Sequence, residues 1–202
     1  MKFSKKYLII SIILLLQFSM ASCTFQIDGG EKEDSSEFID GVDGWRIEGD
    51  AKGDTGVIPN FSPIKGLDDS GYIYAIDDAV GGVWYFVAPS KYLGNKSEYF
   101  NGKLEFWLIQ DSEMKKQFDD EDLIIKGDNG EMITYKHETY PTKEWTHYEV
   151  TLGGDKWLDE KGEIATEEKI KKVLTNVTKL MIRGEFEDGN DTGGLDGVHL
   201  LK

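Results

Sequence analysis

The sequence predicts an all-β domain, a sandwich of two antiparallel sheets with one short covering helix. Three observations lead there. Short runs in which apolar and polar residues alternate recur along most of the 202 residues, clusters of Gly, Asn and Asp break them every dozen or so positions, and one segment has helical spacing instead. Internal repeats and strand–helix alternation are both lacking, which disfavours a propeller or a parallel sheet.

The chain opens with Met1, Lys2, Lys5 and Lys6, followed by an almost unbroken apolar run over residues 7–18. A run of about a dozen residues is short of the roughly 20 that cross a bilayer as a helix, so residues 1–22 read as a cleavable signal segment. Met20-Ala21-Ser22-Cys23 resembles the bacterial lipobox, which makes Cys23 the expected lipidation site and the new N-terminus. Cys23 is also the only cysteine, so it forms no internal disulfide. Two acyl chains on one residue are enough for stable attachment. The expected location is the cell surface or outer membrane, exported and touching the membrane only through the lipid.

Residues 23–37 are polar and charged, with Gly-Gly and Ser-Ser pairs, and read as a flexible tether. Removal of residues 1–22 takes away three of the 23 basic residues and none of the 38 acidic ones, leaving 20 minus 38, or −18. So acidic a body repels phosphate, which argues against nucleic acid and anionic lipid as partners.

Residues 38–202 suffice for one domain. Strands are expected over 71–76, 83–88, 103–109, 122–126, 132–136, 147–152, 179–186 and 198–201, about eight to ten in all. In 103–110 the alternation turns Leu104, Phe106 and Leu108 to the core, and Glu105, Trp107 and Ile109 outward. In 179–186 it buries Leu180, Ile182 and Phe186, gives Gly184 a close approach, and turns Lys179, Met181, Arg183 and Glu185 outward. Ile170, Val173, Leu174 and Val177 keep helical spacing behind Thr166 as N-cap, with Glu167 and Glu168 in the first turn.

Several blocks carry a family resemblance. FIDGVDGWRIEGDA (38–51), GYIYAIDDAVGGVWYFVAPSKYLG (71–94), GKLEFWLIQ (102–110), QFDDEDLIIKG (117–127), the helical ATEEKIKKVLTNV (165–177) and LMIRGEFEDGNDTGGLDGVHL (180–200) occur in order. Together they resemble the laminin B, or laminin IV, domain over nearly the whole mature chain. The resemblance implies a jelly-roll sandwich shaped like galactose-binding-like and carbohydrate-binding modules, in an extracellular setting and with no catalytic residue set. It implies a fold more than a function.

His137, His147 and His199 are far apart without cysteine partners, so no zinc spacing appears. Nucleophile-elbow, P-loop and Rossmann glycine patterns are lacking as well. A glycan hydrolase needs only two carboxylates across a cleft, and the sequence singles out no pair. Calcium takes six to eight oxygens from acidic loops. The stretch from Asp188 begins like an EF-hand loop but has Thr192 and His199 where ligands belong. The look-alike carbohydrate-binding modules suggest instead a structural calcium joining first strand to last, with Asp196, Asp40 and Glu37 as its ligands. On the outward face, Trp107 with Glu105 and Arg183 would make a sugar platform, an aromatic ring stacking on the sugar while polar groups bind hydroxyls. The remaining tryptophans, Trp45, Trp84, Trp145 and Trp157, are expected to pack. The sequence thus points to a lipid-anchored, non-catalytic binding or adhesion module for a polysaccharide or extracellular glycoprotein. The alternative is a structural spacer or subunit of a surface assembly.

Overall fold

A computed structural model describes residues 34–49, 51, 56–77 and 82–202. The signal segment, Cys23 and most of the tether lie outside the described residues. No helix among the described residues is long and apolar enough to cross a membrane.

Among the described residues, twelve strands and one α-helix follow in order: β1 (Ser35–Ser36), β2 (Arg46–Glu48), β3 (Asn60–Ser62), β4 (Tyr72–Asp77), β5 (Tyr85–Val87), β6 (Lys103–Gln110), β7 (Leu123–Lys126), β8 (Met132–Tyr135), β9 (Thr146–Thr151), β10 (Leu158–Asp159), α1 (Glu167–Thr175), β11 (Lys179–Arg183) and β12 (Asp191–Leu201). They form two antiparallel sheets. The first runs β3-β4-β12-β6-β9, with β1 also on β12, and the second runs β10-β8-β7-β11-β5-β2. Apart from β3 with β4 and β7 with β8, paired strands are not consecutive in the chain, as closing a sandwich requires.

The core follows the alternation. Leu104, Phe106 and Leu108 of β6 and Leu180 and Ile182 of β11 are buried between the sheets, as is Phe186. A Cβ at Gly184 would sit 1.9 Å from the Trp84 ring, so only glycine permits the indole to lie against that strand. Thr166 caps α1 by accepting a hydrogen bond from the Lys169 N–H at 3.2 Å. Ile170, Val173 and Leu174 turn the apolar stripe of α1 inward, and Lys169 and Lys172 both reach Glu131 beside β8.

Two expectations need correction. Composition assigned residues 35–36 to the tether, but Ser35 and Ser36 pair with His199 and Val198 of β12. Backbone hydrogen bonding outweighs a polar composition there, and the Ser36 hydroxyl is used by the Tyr92 hydroxyl and the Trp45 indole. The alternation turned Met181, Arg183 and Glu185 outward, yet all three are buried. The segment before β7 crosses the outer face of the second sheet and covers that side of β11.

Candidate functional site

The outer face of the first sheet is assembled around a bulge in β12. The register to β6 pairs Asp196 with Trp107 and then His199 with Glu105, so β12 carries one residue more than its partner between those pairs. Gly197 supplies the bulge with φ +53°, a left-handed conformation that glycine adopts without strain. A Cβ at Gly197 would approach the Trp107 ring to 2.8 Å. Glycine therefore both shapes the bulge and lets the indole lie close to β12.

Trp107 is half-buried. It stacks on His147 of the neighbouring β9 with ring centroids 4.3 Å apart and planes at 28°, and meets His199 edge-on at 6.3 Å. Beside it opens a cleft of about 420 Å³ bordered by Glu37, Ile39, Leu67, Ser70, Trp107 and His199. Asp196 forms its floor. The Asp196 carboxylate accepts hydrogen bonds from the backbone N–H of Leu67 at 2.7 Å and of Gly197 at 2.8 Å, holding the loop after β3 against the bulge. Burial pushes its pKa up to about 6, opposed by those two N–H groups and assisted by the charge of Glu37.

A second aromatic group shares this face. Gly194 pairs with Tyr74 on one side and Ile109 on the other, so its missing side chain opens the middle of the sheet. Tyr72 leans into that space, where a Gly194 Cβ would lie 3.1 Å from its ring. Tyr72 rests on Tyr74 at 5.6 Å and receives the Trp145 ring edge-on at 5.3 Å. The Trp145 indole N–H donates to the Lys65 carbonyl at 3.1 Å, which fixes the ring over the sheet. Burial raises the Tyr72 hydroxyl above its usual pKa, helped by Tyr74 and Asp111 and opposed by a hydrogen bond with Ser62. Trp107, His147, Trp145, Tyr72 and Tyr74 thus give one sheet face a set of ring surfaces with carboxylates and hydroxyls around them.

The expected site residues part company here. Trp107 and Glu105 lie on this face, with Glu105 3.9 Å from the His147 ring nitrogen. Arg183 does not. It is fully buried on the other sheet, where Nη1 meets Asp122 at 3.3 Å, Nη2 donates to the Phe118 carbonyl at 2.9 Å and Nε to the Glu185 carbonyl at 2.6 Å. Its guanidinium sits between the Phe118 and Phe186 rings, 4.6 and 4.4 Å from their centroids. Of the expected calcium ligands, Asp196 and Glu37 border the same cleft, whereas Asp40 and Glu37 border a separate hollow. Glu37 pairs with His199 at 3.4 Å, and among the described residues no three Asp, Glu, His or Cys side chains are grouped to hold a metal.

Sequence reasoning passed over Tyr72, Tyr74, His147 and Trp145 as site residues. Alternation in 71–76 and 147–152 does mark the first three as outward. Nothing local marks Trp145, whose position depends on a carbonyl 80 residues away.

Residues 85–201 match the family model described as laminin B (domain IV). A curated relative, laminin-like protein lam-2 of Caenorhabditis elegans, is 32% identical over 130 residues, covering 62% of this chain and 8% of that protein. This chain therefore corresponds to a small part of that relative. Among solved structures, the L4b domain of human laminin alpha-2 superposes with a TM-score of 0.54 at 12% identity, covering 63% of this chain and 78% of that one. An exo-beta-agarase superposes with a TM-score of 0.51 at 14% identity over 76% of this chain and 22% of its own. At these identities the likeness concerns the fold.

Proposed function

The chain belongs to the laminin B (domain IV) family, and we propose that it is a non-catalytic binding module that takes a polysaccharide or glycoprotein glycan on the outer face of its first sheet. The observation that carries this reading is the convergence of Trp107, His147, Trp145, Tyr72 and Tyr74 on one sheet face. Flat rings stack on the apolar faces of sugars, and Glu105 beside His147 and Asp111 and Ser62 beside Tyr72 supply polar groups for hydroxyls. Stacking on preset rings limits the ordering cost of binding, because Trp145 is already tied to Lys65.

In this proposal Cys23 carries the lipid that holds the module at the cell surface. The lipobox-like Met20-Ala21-Ser22-Cys23 and the apolar run before it support that reading. Calcium bridging of Asp196, Asp40 and Glu37 is not part of it, since Asp196 spends both carboxylate oxygens on backbone N–H groups.

A glycan array probed with the full-length chain, followed by calorimetry on the best ligand, tests the proposal. Binding that falls at least about tenfold in Trp107→Ala while the protein stays folded supports the aromatic face as the site. Absence of binding to any glycan or glycoprotein, with recovery of a stable protein partner from intact cells, would replace it with the role of a spacer or assembly subunit.

A further inference from the structure

Between Trp107 and Tyr72, a turn of the chain lies over the outer face of the first sheet. Sheet order puts β12 between β6, which carries Trp107, and β4, which carries Tyr72. Asp196 of β12 is buried there, beneath Gly66 and Leu67 of the loop that joins β3 to β4. Its Oδ2 accepts from the Leu67 N–H and its Oδ1 from the Gly197 N–H, so each oxygen holds one donor. A Cβ at Gly66 would come within 2.6 Å of Oδ2 and 2.5 Å of the Gly71 carbonyl, so glycine is what lets the loop sit this low.

The loop is closed on itself as well as on the sheet. The Gly66 N–H donates to the Ser70 carbonyl at 2.8 Å and the Ser70 N–H to the Leu67 carbonyl at 2.9 Å, where the Ser70 hydroxyl also donates. Lys65, Asp68 and Asp69 hold left-handed backbone, with φ of 72°, 52° and 60°. Non-glycine residues persist in that region where the surrounding structure over-determines them. Just before Gly66, the Lys65 carbonyl accepts the Trp145 indole N–H. The carboxylate's hold on the loop and the loop's hold on the ring thus fall on Leu67 and Lys65, the two residues flanking Gly66.

We propose that residues 63–70 act as a strap through which Asp196 positions Trp145 over Tyr72, so that a buried carboxylate sets the shape of the glycan face. The step to the glycan rests on the function proposed above; the coupling of Asp196 to Trp145 does not. Asp196→Asn leaves one acceptor oxygen for two N–H groups and turns an NH2 toward the other, which releases the strap with little change in volume.

Solvent exchange of the Trp145 indole N–H, followed by NMR on the isotope-labelled full-length chain, tests the coupling without any ligand. The signal is identified by its loss in Trp145→Phe. In Asp196→Asn its exchange should rise about tenfold or more, as losing a hydrogen bond to a charged group implies. Reciprocally, Trp145→Phe should speed exchange of the Leu67 amide, because coupling between two sites runs both ways. The buried Trp157 indole N–H, which donates to the Thr151 carbonyl at 2.8 Å, should keep its rate in both variants. A Trp145 rate unchanged by Asp196→Asn would overturn the proposal, and so would an equal rise at Trp157, the mark of general loosening. Gly66→Ala, which lifts the loop from Asp196, should repeat the result and decides the matter if Asp196→Asn does not fold. Against a glycan that the native chain binds, Asp196→Asn should lose about tenfold in affinity, and equal affinity would overturn the positioning role. Coupled exchange in a native chain that binds no glycan would instead sink the glycan reading and leave the strap standing.

Discussion

The two sheets treat their outward faces in opposite ways. On the first, Trp107, Tyr72, Tyr74 and Trp145 remain half-buried and the His147 side chain is 46% exposed. On the second, Met181 and Arg183 of β11 point to the same side as Tyr85 and Ile124, yet Arg183 is 0% exposed. The covering layer is a short segment in which Gln117 bridges to Glu187, Phe118 hydrogen-bonds to Phe186 and Asp120 meets the Tyr85 hydroxyl. One face keeps its rings partly exposed; the other is closed by the protein's own chain. Alternation reports that one side of a strand is buried and says nothing about whether a loop returns over the second side.

Arg183→Ala should separate the two faces most sharply. It leaves Asp122, whose side chain is 5% exposed, holding a buried charge and strips the Phe118 and Glu185 carbonyls of their donor. Loss of one partner of a buried pair costs about 3–5 kcal/mol, so urea unfolding should show a collapse of stability. A loss below about 1 kcal/mol would mean that β11 is open after all. Trp107→Ala should instead spare most of the stability, about 2 kcal/mol or less being lost from a half-buried ring, while glycan affinity drops about tenfold or more.

Asp196→Asn addresses the link between the cleft and the fold. Asp196 rises from an ordinary 3.8 to about 6, so the folded state holds a proton that the unfolded chain has released. Its contribution to stability is complete below about pH 4 and is lost as pH rises through about 6, an effect of about 1–2 kcal/mol. The variant should reduce, not abolish, the slope of midpoints measured between pH 4 and 7, because Asp191, raised to about 7, titrates in the same window, and an unchanged slope would place the titration elsewhere. Thr166→Ala, on the helix beyond the second sheet, should cost about 1 kcal/mol by removing the N-cap and leave glycan affinity unchanged.

Much of the scaffold was legible because its signals are local. Leu104, Phe106 and Leu108 alternate strictly with Glu105, Trp107 and Ile109, and that pattern alone sets which face of β6 meets the core. The cap of α1 was legible for the same reason, since Thr166 and Lys169 are three residues apart. The candidate site was half legible. Trp107 and Glu105 were found by period, whereas Arg183 was misplaced although apolar Met181, two residues earlier on the same side, already hinted at a covered face.

The sequence by itself determined the strand periods, the helix and its cap, the acidic surface and the family, because each depends on neighbours a few residues apart or on a run of matched blocks. Tertiary structure alone decided which outward face keeps its rings partly exposed, that Trp145 lies over Tyr72, and that Asp196 holds the loop after β3. Those outcomes rest on contacts between residues 73 to 129 positions apart, such as Tyr72 with Trp145 and Asp196 with Leu67. Chain closure, not local propensity, fixes contacts of that range.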